Sequence, residues 1–185
     1  MNVGIFGGSF NPPHLGHQVL CLMLLETCEI DELWVIPTYQ HVFGKDLAPY
    51  EARRRCCEEM LAPLGERCRV VEIEKELSLA GESEHGSRML DTLKALSQQH
   101  TRAQFRLVIG ADILSETDKW HRFDEVSRIA PPIVFQRYGY PGGQLVAPPE
   151  ISSSDIRDRL ARGEPVDSLV PRRVIEVMER ERMYQ

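Results

Sequence analysis

No CxxC pair occurs in this chain, and its five cysteines are odd in number and scattered, with Cys56 and Cys57 adjacent. That usage offers no paired disulfide framework and points to a reduced, cytoplasmic setting. No apolar run approaches the roughly 18 residues a membrane-spanning helix needs. The longest, VLCLMLL (19–25), is too short. The opening MNVGIFGG has neither a basic n-region nor a long apolar h-region, so no secretory leader is expected. Positive charge is scarce as well: 22 Lys and Arg stand against 28 Asp and Glu, for a net charge of −6. This argues against a protein that coats nucleic acid, which needs a basic footprint, though a few converging bases can still hold an anionic ligand. The arginine clusters are short (53–55, Arg157 with Arg159, Arg172 with Arg173), and most read as solvated helix faces. No GK[ST] follows the glycines near the start, which excludes a P-loop, and their spacing is not G-x-G-x-x-G.

What is present suffices for one domain. The 185 residues are 42% hydrophobic, and no linker, repeat or low-complexity segment divides them. Runs rich in β-branched or aromatic residues recur at 3–6, 33–36, 69–73, 105–109 and 133–137. Helical patterns lie between them at 15–27, 49–61, 87–98 and 122–128. Two more helices follow, SDIRDRLARG (closed by Gly163 and Pro165) and a last one opened by Pro171. The alternation predicts an α/β, doubly wound, mainly parallel sheet of about five to six strands flanked by helices. One domain spans 1–185, with a C-terminal helical segment from about 151. Ligands in such sheets sit beyond the carboxyl ends of the strands. Segments 7–17, 38–50, 79–88 and 110–121 leave strands there, and 38–50 and 79–86 read as loops over a site.

The most informative stretch is GIFGGSFNPPHLGH (4–17). Gly7 and Gly8 end a buried strand and let a ligand approach the main chain. A helix starting near residue 14 aims free N–H groups at the same place, which favours phosphate. His14 and His17 share a face of its first turn, and Gly16 between them adds no bulk. A polyphosphate site uses all these features. A metal site on the two histidines lacks a third ligand at a convincing spacing. Two histidines merely decorating a helix start would leave the glycines and Pro12-Pro13 unexplained. Cys21, Cys28, Met23 and Leu24 read as core or helix-face residues.

GGSFNPPHLGH resembles the GGTFDPxHxGH signature of the HxGH nucleotidyltransferase superfamily, and ISSSDIR (151–157) resembles its second signature, I-S-S-T-x-I-R. Over nearly the whole chain the likeness is to the nicotinate (nicotinamide) mononucleotide adenylyltransferases. Gly110-Ala111-Asp112 matches their GAD, and Trp120-His121 the tryptophan some residues on. SRMLDTL (87–93) and VPRRVIEVMERERMY (170–184) align with further family segments. Lys45 corresponds to a loop lysine and Arg54 to an arginine of the next helix. Arg88 and Met89 replace the family's Tyr and Thr, and FGKDLAP is closer to the loop of the nicotinamide-nucleotide enzymes.

The resemblance implies a Rossmann-like nucleotidyltransferase fold and transfer of AMP from ATP to nicotinate mononucleotide, with Mg²⁺ bridging the phosphates. His17 would meet the α-phosphate and His14 the phosphates beside it. Lys45 would close over them, and Ser153, Ser154 and Arg157 would hold the β- and γ-phosphates. Gly7, Gly8, Ser9, Phe10, Gly16, Gly110, Asp112, Ile151 and Ser152 complete the ATP side. Ser152 sits where an N-cap belongs, and Asp155 completes a box-like pattern. Lys45, Arg88, Asp112, Trp120 and Arg137 form the acceptor side, with Trp120 stacked on the pyridine ring. Arg88 has two readings, a cation for the acceptor or a solvated helix residue. Tyr39 and His41 are further candidates for substrate contact. Nicotinamide mononucleotide, phosphopantetheine and a cytidylyltransferase substrate are the alternative acceptors. A nucleotide-binding protein without turnover and a metal-binding protein are the alternatives of other classes. A homo-oligomer stays open.

Overall fold

The computed structural model describes residues 1–40, 46–81, 88–117 and 120–184. Five parallel strands form one sheet: β1 (Asn2–Gly8), β2 (Glu32–Pro37), β3 (Cys68–Val70), β4 (Gln104–Gly110) and β5 (Pro132–Phe135). Their order is β3-β2-β1-β4-β5. The chain winds outward from β1 to one edge, then returns to β4 and winds to the other. The order therefore reverses between β1 and β4, and a crevice opens there at the carboxyl ends.

Side chains alternate across the sheet, as a period of two requires. Phe6, Val35, Val108 and Phe135 face one core. That core is closed by α1 (Leu15–Thr27), α2 (Tyr50–Leu61), α7 (Ser153–Ala161) and α8 (Arg172–Arg180). Ile5, Trp34, Leu107 and Ile109 face the other, covered by α3 (Ile73–Leu79), α4 (Met89–Gln99) and α6 (Phe123–Ile129). A short α5 (Ala111–Leu114) leaves β4 directly. Burial on both faces explains why the strands read as continuous apolar runs. Among the described residues no helix is long and apolar enough to cross a membrane.

The elements differ from their expected bounds in two informative places. The run at 69–73 is not one strand: β3 ends at Val70 and Ile73 already opens α3. Ile73 and Leu77, four apart, both bury against the second core, so helical spacing wins over β-propensity. β5 stops at Phe135, and Arg137 lies beyond it in a turn closed by a bridge to Tyr140. Of the residues expected in the core or on a helix face, Cys21 and Leu24 are buried, while Met23 and Cys28 are half-buried.

Candidate active site

A cleft of about 360 Å³ occupies the crevice beyond β1 and β4. Its floor is the turn that leaves β1. Phe10 there has a φ of 44°, a left-handed backbone unusual for a side chain of this size. Its ring packs edge-on against Phe6 at 5.3 Å and His17 at 5.0 Å, which holds the strained residue in place.

His14 precedes α1 with extended backbone (φ −144°, ψ 174°). Its main-chain N–H donates to Nδ1 of His17 at 3.2 Å. An Nδ1 that accepts leaves the proton of a neutral imidazole on Nε2. The two rings stack, with centroids 3.7 Å apart and planes 26° from parallel. Burial, then the nearby charge of Arg137, holds His14 down to about 4. Burial, then His14, then Arg137 keeps His17 well below the ordinary imidazole range. Both rings are therefore neutral at pH 7.

Gly16 has a packing duty. A Cβ there would lie 2.8 Å from the carbonyl oxygen of Pro149 and 3.1 Å from the His14 ring. Bare backbone lets the segment before α7 and the His14 ring both close on α1. The amides of the first turn are less free than expected: the N–H of Leu15 donates to the carbonyl of Leu169 at 2.9 Å.

The start of α7 forms the facing wall. Ser152 caps it, its hydroxyl accepting from the N–H of Ser154 at 3.2 Å. Ser153 donates to the carbonyl of Pro12 at 2.8 Å. Arg157 donates through Nη1 to the carbonyl of Asn11 at 2.7 Å and through Nη2 to the Ser154 hydroxyl at 3.2 Å. The two motif segments, 141 and more residues apart in sequence, are thus bolted together across the cleft. Asp155 does not complete a capping box; it pairs with Arg159 at 3.0 Å.

At the opposite rim, Arg137 Nε stands 3.6 Å from Asp112 Oδ1. A Cβ on Gly110 would lie 2.2 Å from that same oxygen, so only glycine lets the carboxylate fold back over the end of β4. Trp120 lines the cleft, half-buried, with its ring edge-on to Phe123 at 5.8 Å. Gly7, Ser9 and Ile151 also line it, while Gly8 and Phe10 stand behind the lining. Arg88 caps α4 beside the cleft and is not part of its lining, whereas its neighbour Met89 is. Tyr39 turns away: its N–H donates to Glu74 Oε2 at 3.0 Å and its ring packs on Tyr50. Lys45 and His41 lie outside the described residues.

A family model, cytidylyltransferase-like, matches residues 5–159. The "Probable nicotinate-nucleotide adenylyltransferase" of Anaeromyxobacter dehalogenans (strain 2CP-C) is 43% identical over 187 residues, covering 99% of this chain and 96% of the relative. The chain belongs to the nicotinate-nucleotide adenylyltransferase family. The protein of the same name from Myxococcus xanthus (strain DK1622) is 39% identical over 180 residues, covering 95% and 90% of the two chains. Among solved structures, Plasmodium falciparum nicotinic acid mononucleotide adenylyltransferase complexed with NaAD superposes with a TM-score of 0.77 over 99% of this chain and 97% of that one. Its 17% identity makes this a likeness of fold.

Three residues of this family member escape a reading of the sequence. Arg53 stands in the run taken for a solvated helix face, yet it is fully buried. Its guanidinium donates to the carbonyls of Ala48, Ser9 and Thr38, each at 2.8 Å, and so ties the turn after β1 to the segments flanking 41–45. Arg54, the arginine aligned with the family's, instead joins a surface cluster with Glu51, Glu58 and Glu72. The signal was available: Arg53 is in phase with Cys56, Cys57 and Met60, the buried stripe of α2. Asn11, also buried, and Tyr184 complete the set, joined by a hydrogen bond of 2.8 Å.

Proposed function

We propose that the protein transfers the adenylyl group of ATP to the phosphate of nicotinate mononucleotide, forming the deamido-NAD dinucleotide and pyrophosphate. One observation carries the reading: a single cleft gathers the His14–His17 pair, the Ser152–Arg157 helix start and the Asp112–Arg137 rim, with both motif segments hydrogen-bonded to each other.

In this reaction an oxygen of the acceptor phosphate attacks the α-phosphorus. The bond from that phosphorus to the bridging oxygen breaks, and pyrophosphate leaves with the electron pair. The attacking oxygen is already ionised near neutral pH, so no general base is required. The protein supplies alignment and charge stabilisation. His17, with its proton on Nε2, donates to the α-phosphate, and His14 binds beside it. Ser153, Ser154 and Arg157 hold the outer phosphates, and the main chain at Gly7 to Phe10 shapes the turn under them. Lys45 adds a point charge. Asp112 and Arg137 select the mononucleotide, and Trp120 stacks on its pyridine ring.

Mg²⁺ accompanies ATP. Among the described residues no group of three or more His, Cys, Asp or Glu side chains could hold a metal ion. When bound with ATP, the ion would be held mainly by phosphate oxygens and water and would neutralise phosphate charge. The five free thiols suit the reducing cytoplasm.

The test is pyrophosphate release with Mg·ATP and, separately, nicotinate mononucleotide, nicotinamide mononucleotide and phosphopantetheine. Preference for nicotinate mononucleotide supports the reading. Preference for either other acceptor, or silence with all three in protein that still binds ATP, sinks it.

A further inference from the structure

We propose that Tyr184 is a positioning residue for the triphosphate, acting through Asn11 on Arg157. The proposal rests on the reading that the start of α7 holds ATP phosphates.

The segment after α8 adopts an unfavourable backbone. Arg182 and Tyr184 have φ of 52° and 61°, left-handed values that residues with side chains seldom take. Such strain persists where surrounding contacts over-determine it. Here Met183, between them, is buried with its Sδ 3.8 Å from Cys56 Sγ, and its N–H donates to the carbonyl of Met178 at 2.9 Å. The consequence is that the phenol of Tyr184 swings under the β1 turn and donates to Asn11 Oδ1 at 2.8 Å. Burial raises the phenol's pKa and keeps it a donor.

Asn11 is where this bond meets the site. Its Oδ1 also accepts from the N–H of Ala48 at 3.0 Å, and its Nδ2 donates to the carbonyl of Asp46 at 3.3 Å. Its own main-chain carbonyl receives Arg157 at 2.7 Å. Two donors on one amide oxygen fix the side chain, and the side chain fixes the carbonyl behind it. Arg157 is aimed by where that carbonyl points. Without the hydroxyl, Asn11 is held only by the Ala48 N–H and the Asp46 carbonyl, both on one short segment, and loses its tie to the end of the chain.

Tyr184→Phe removes the hydroxyl and keeps the ring. Binding of a non-hydrolysable ATP analogue to the full chain, measured by calorimetry, is expected to weaken severalfold, up to about fivefold if the whole of one neutral hydrogen bond is spent on aiming Arg157. The KM of the acceptor is expected to stay within about twofold, since the contact lies on the ATP side of the cleft. In an Arg157→Ala background the same substitution should change nothing further. Asn11→Leu, which removes the acceptor of this bond, should weaken analogue binding and make Tyr184→Phe silent. Unchanged affinity in Tyr184→Phe, an equal loss in both backgrounds, or no analogue binding by the unsubstituted protein overturns the proposal. A protein that binds the analogue but releases no pyrophosphate with nicotinate mononucleotide would overturn the functional reading alone, because the binding cycle needs no turnover.

Discussion

His14 and His17 lie face to face, ring centroids 3.7 Å apart, and the main-chain N–H of the first holds Nδ1 of the second. Two imidazolium ions would repel at that distance, and burial makes charge dearer still. The pair therefore meets phosphate as neutral, oriented donors. Permanent positive charge among the described residues of the cleft comes from Arg137 and Arg157. This division suits a reaction whose need is a donor aimed at charge that develops on the α-phosphate.

His17→Ala should lower kcat by about 10²- to 10³-fold, the usual effect of removing one such donor, while ATP still binds weakly. Initial rates of pyrophosphate release together with analogue calorimetry separate the two effects. Near-normal turnover would sink the assignment of His17 to the α-phosphate.

The same burial makes stability depend on pH. His14 is held down to about 4 in the folded protein, against about 6.5 in an unfolded chain. Between those values the unfolded state binds more protons, so stability rises with pH there and falls as the solution is acidified. The contribution is complete above about pH 7 and is lost from 6.5 downward, on the order of 3 kcal/mol for His14 alone. Urea unfolding at steps between pH 7.5 and 5 should show this slope, and His14→Asn should reduce it, leaving the part that the buried His17 contributes. A wild-type curve level across that interval would mean that His14 is not buried neutral.

Much of this architecture is legible in the sequence because strands buried on both faces announce themselves. β1 and β2 carry continuous apolar runs and β4 is broken only by Arg106 after Phe105, and the segments leaving β1 and β4 carry glycines and histidines. α3 is harder, since Val70, Val71 and Ile73 carry β-propensity and only the Ile73–Leu77 spacing marks the helix. The scaffold behind the site is harder again. Arg53 and Asn11 act on main-chain carbonyls and amides far away in sequence, and no spacing encodes a partner reached only through folding. An arginine in a charged run looks solvated until the helix phase is counted.

Arg53 and Arg54 are neighbours with opposite expected costs. Arg53→Met keeps apolar volume but strands three carbonyls that lose their donor, so the loss should be about 3–5 kcal/mol. Arg54→Gln removes surface ion pairs and should cost less than about 1 kcal/mol. Chemical denaturation of both variants gives the comparison. Equal losses would mean that the buried guanidinium is not what ties the β1 turn down.

Trp120 offers the sharpest separation of the two substrates. It lines the cleft and, like Met89 and Ile113, packs against the second core, whereas Ile156 of the Arg157 helix belongs to the first. Its ring is braced edge-on by Phe123 and is only half-buried, an arrangement that holds an aromatic platform upright for a flat partner. Stacking of a base on such a platform contributes roughly 1–3 kcal/mol, so Trp120→Ala should raise the acceptor KM about tenfold or more. The KM of ATP should stay within about twofold, because its phosphates bind at the other wall. Trp120→Phe, which keeps an aromatic face of smaller area, should fall between. Steady-state kinetics with each substrate varied in turn decides the matter. Equal rises in both constants would mean that Trp120 supports the cleft as a whole, and the pyridine ring must then be sought against Met89 instead.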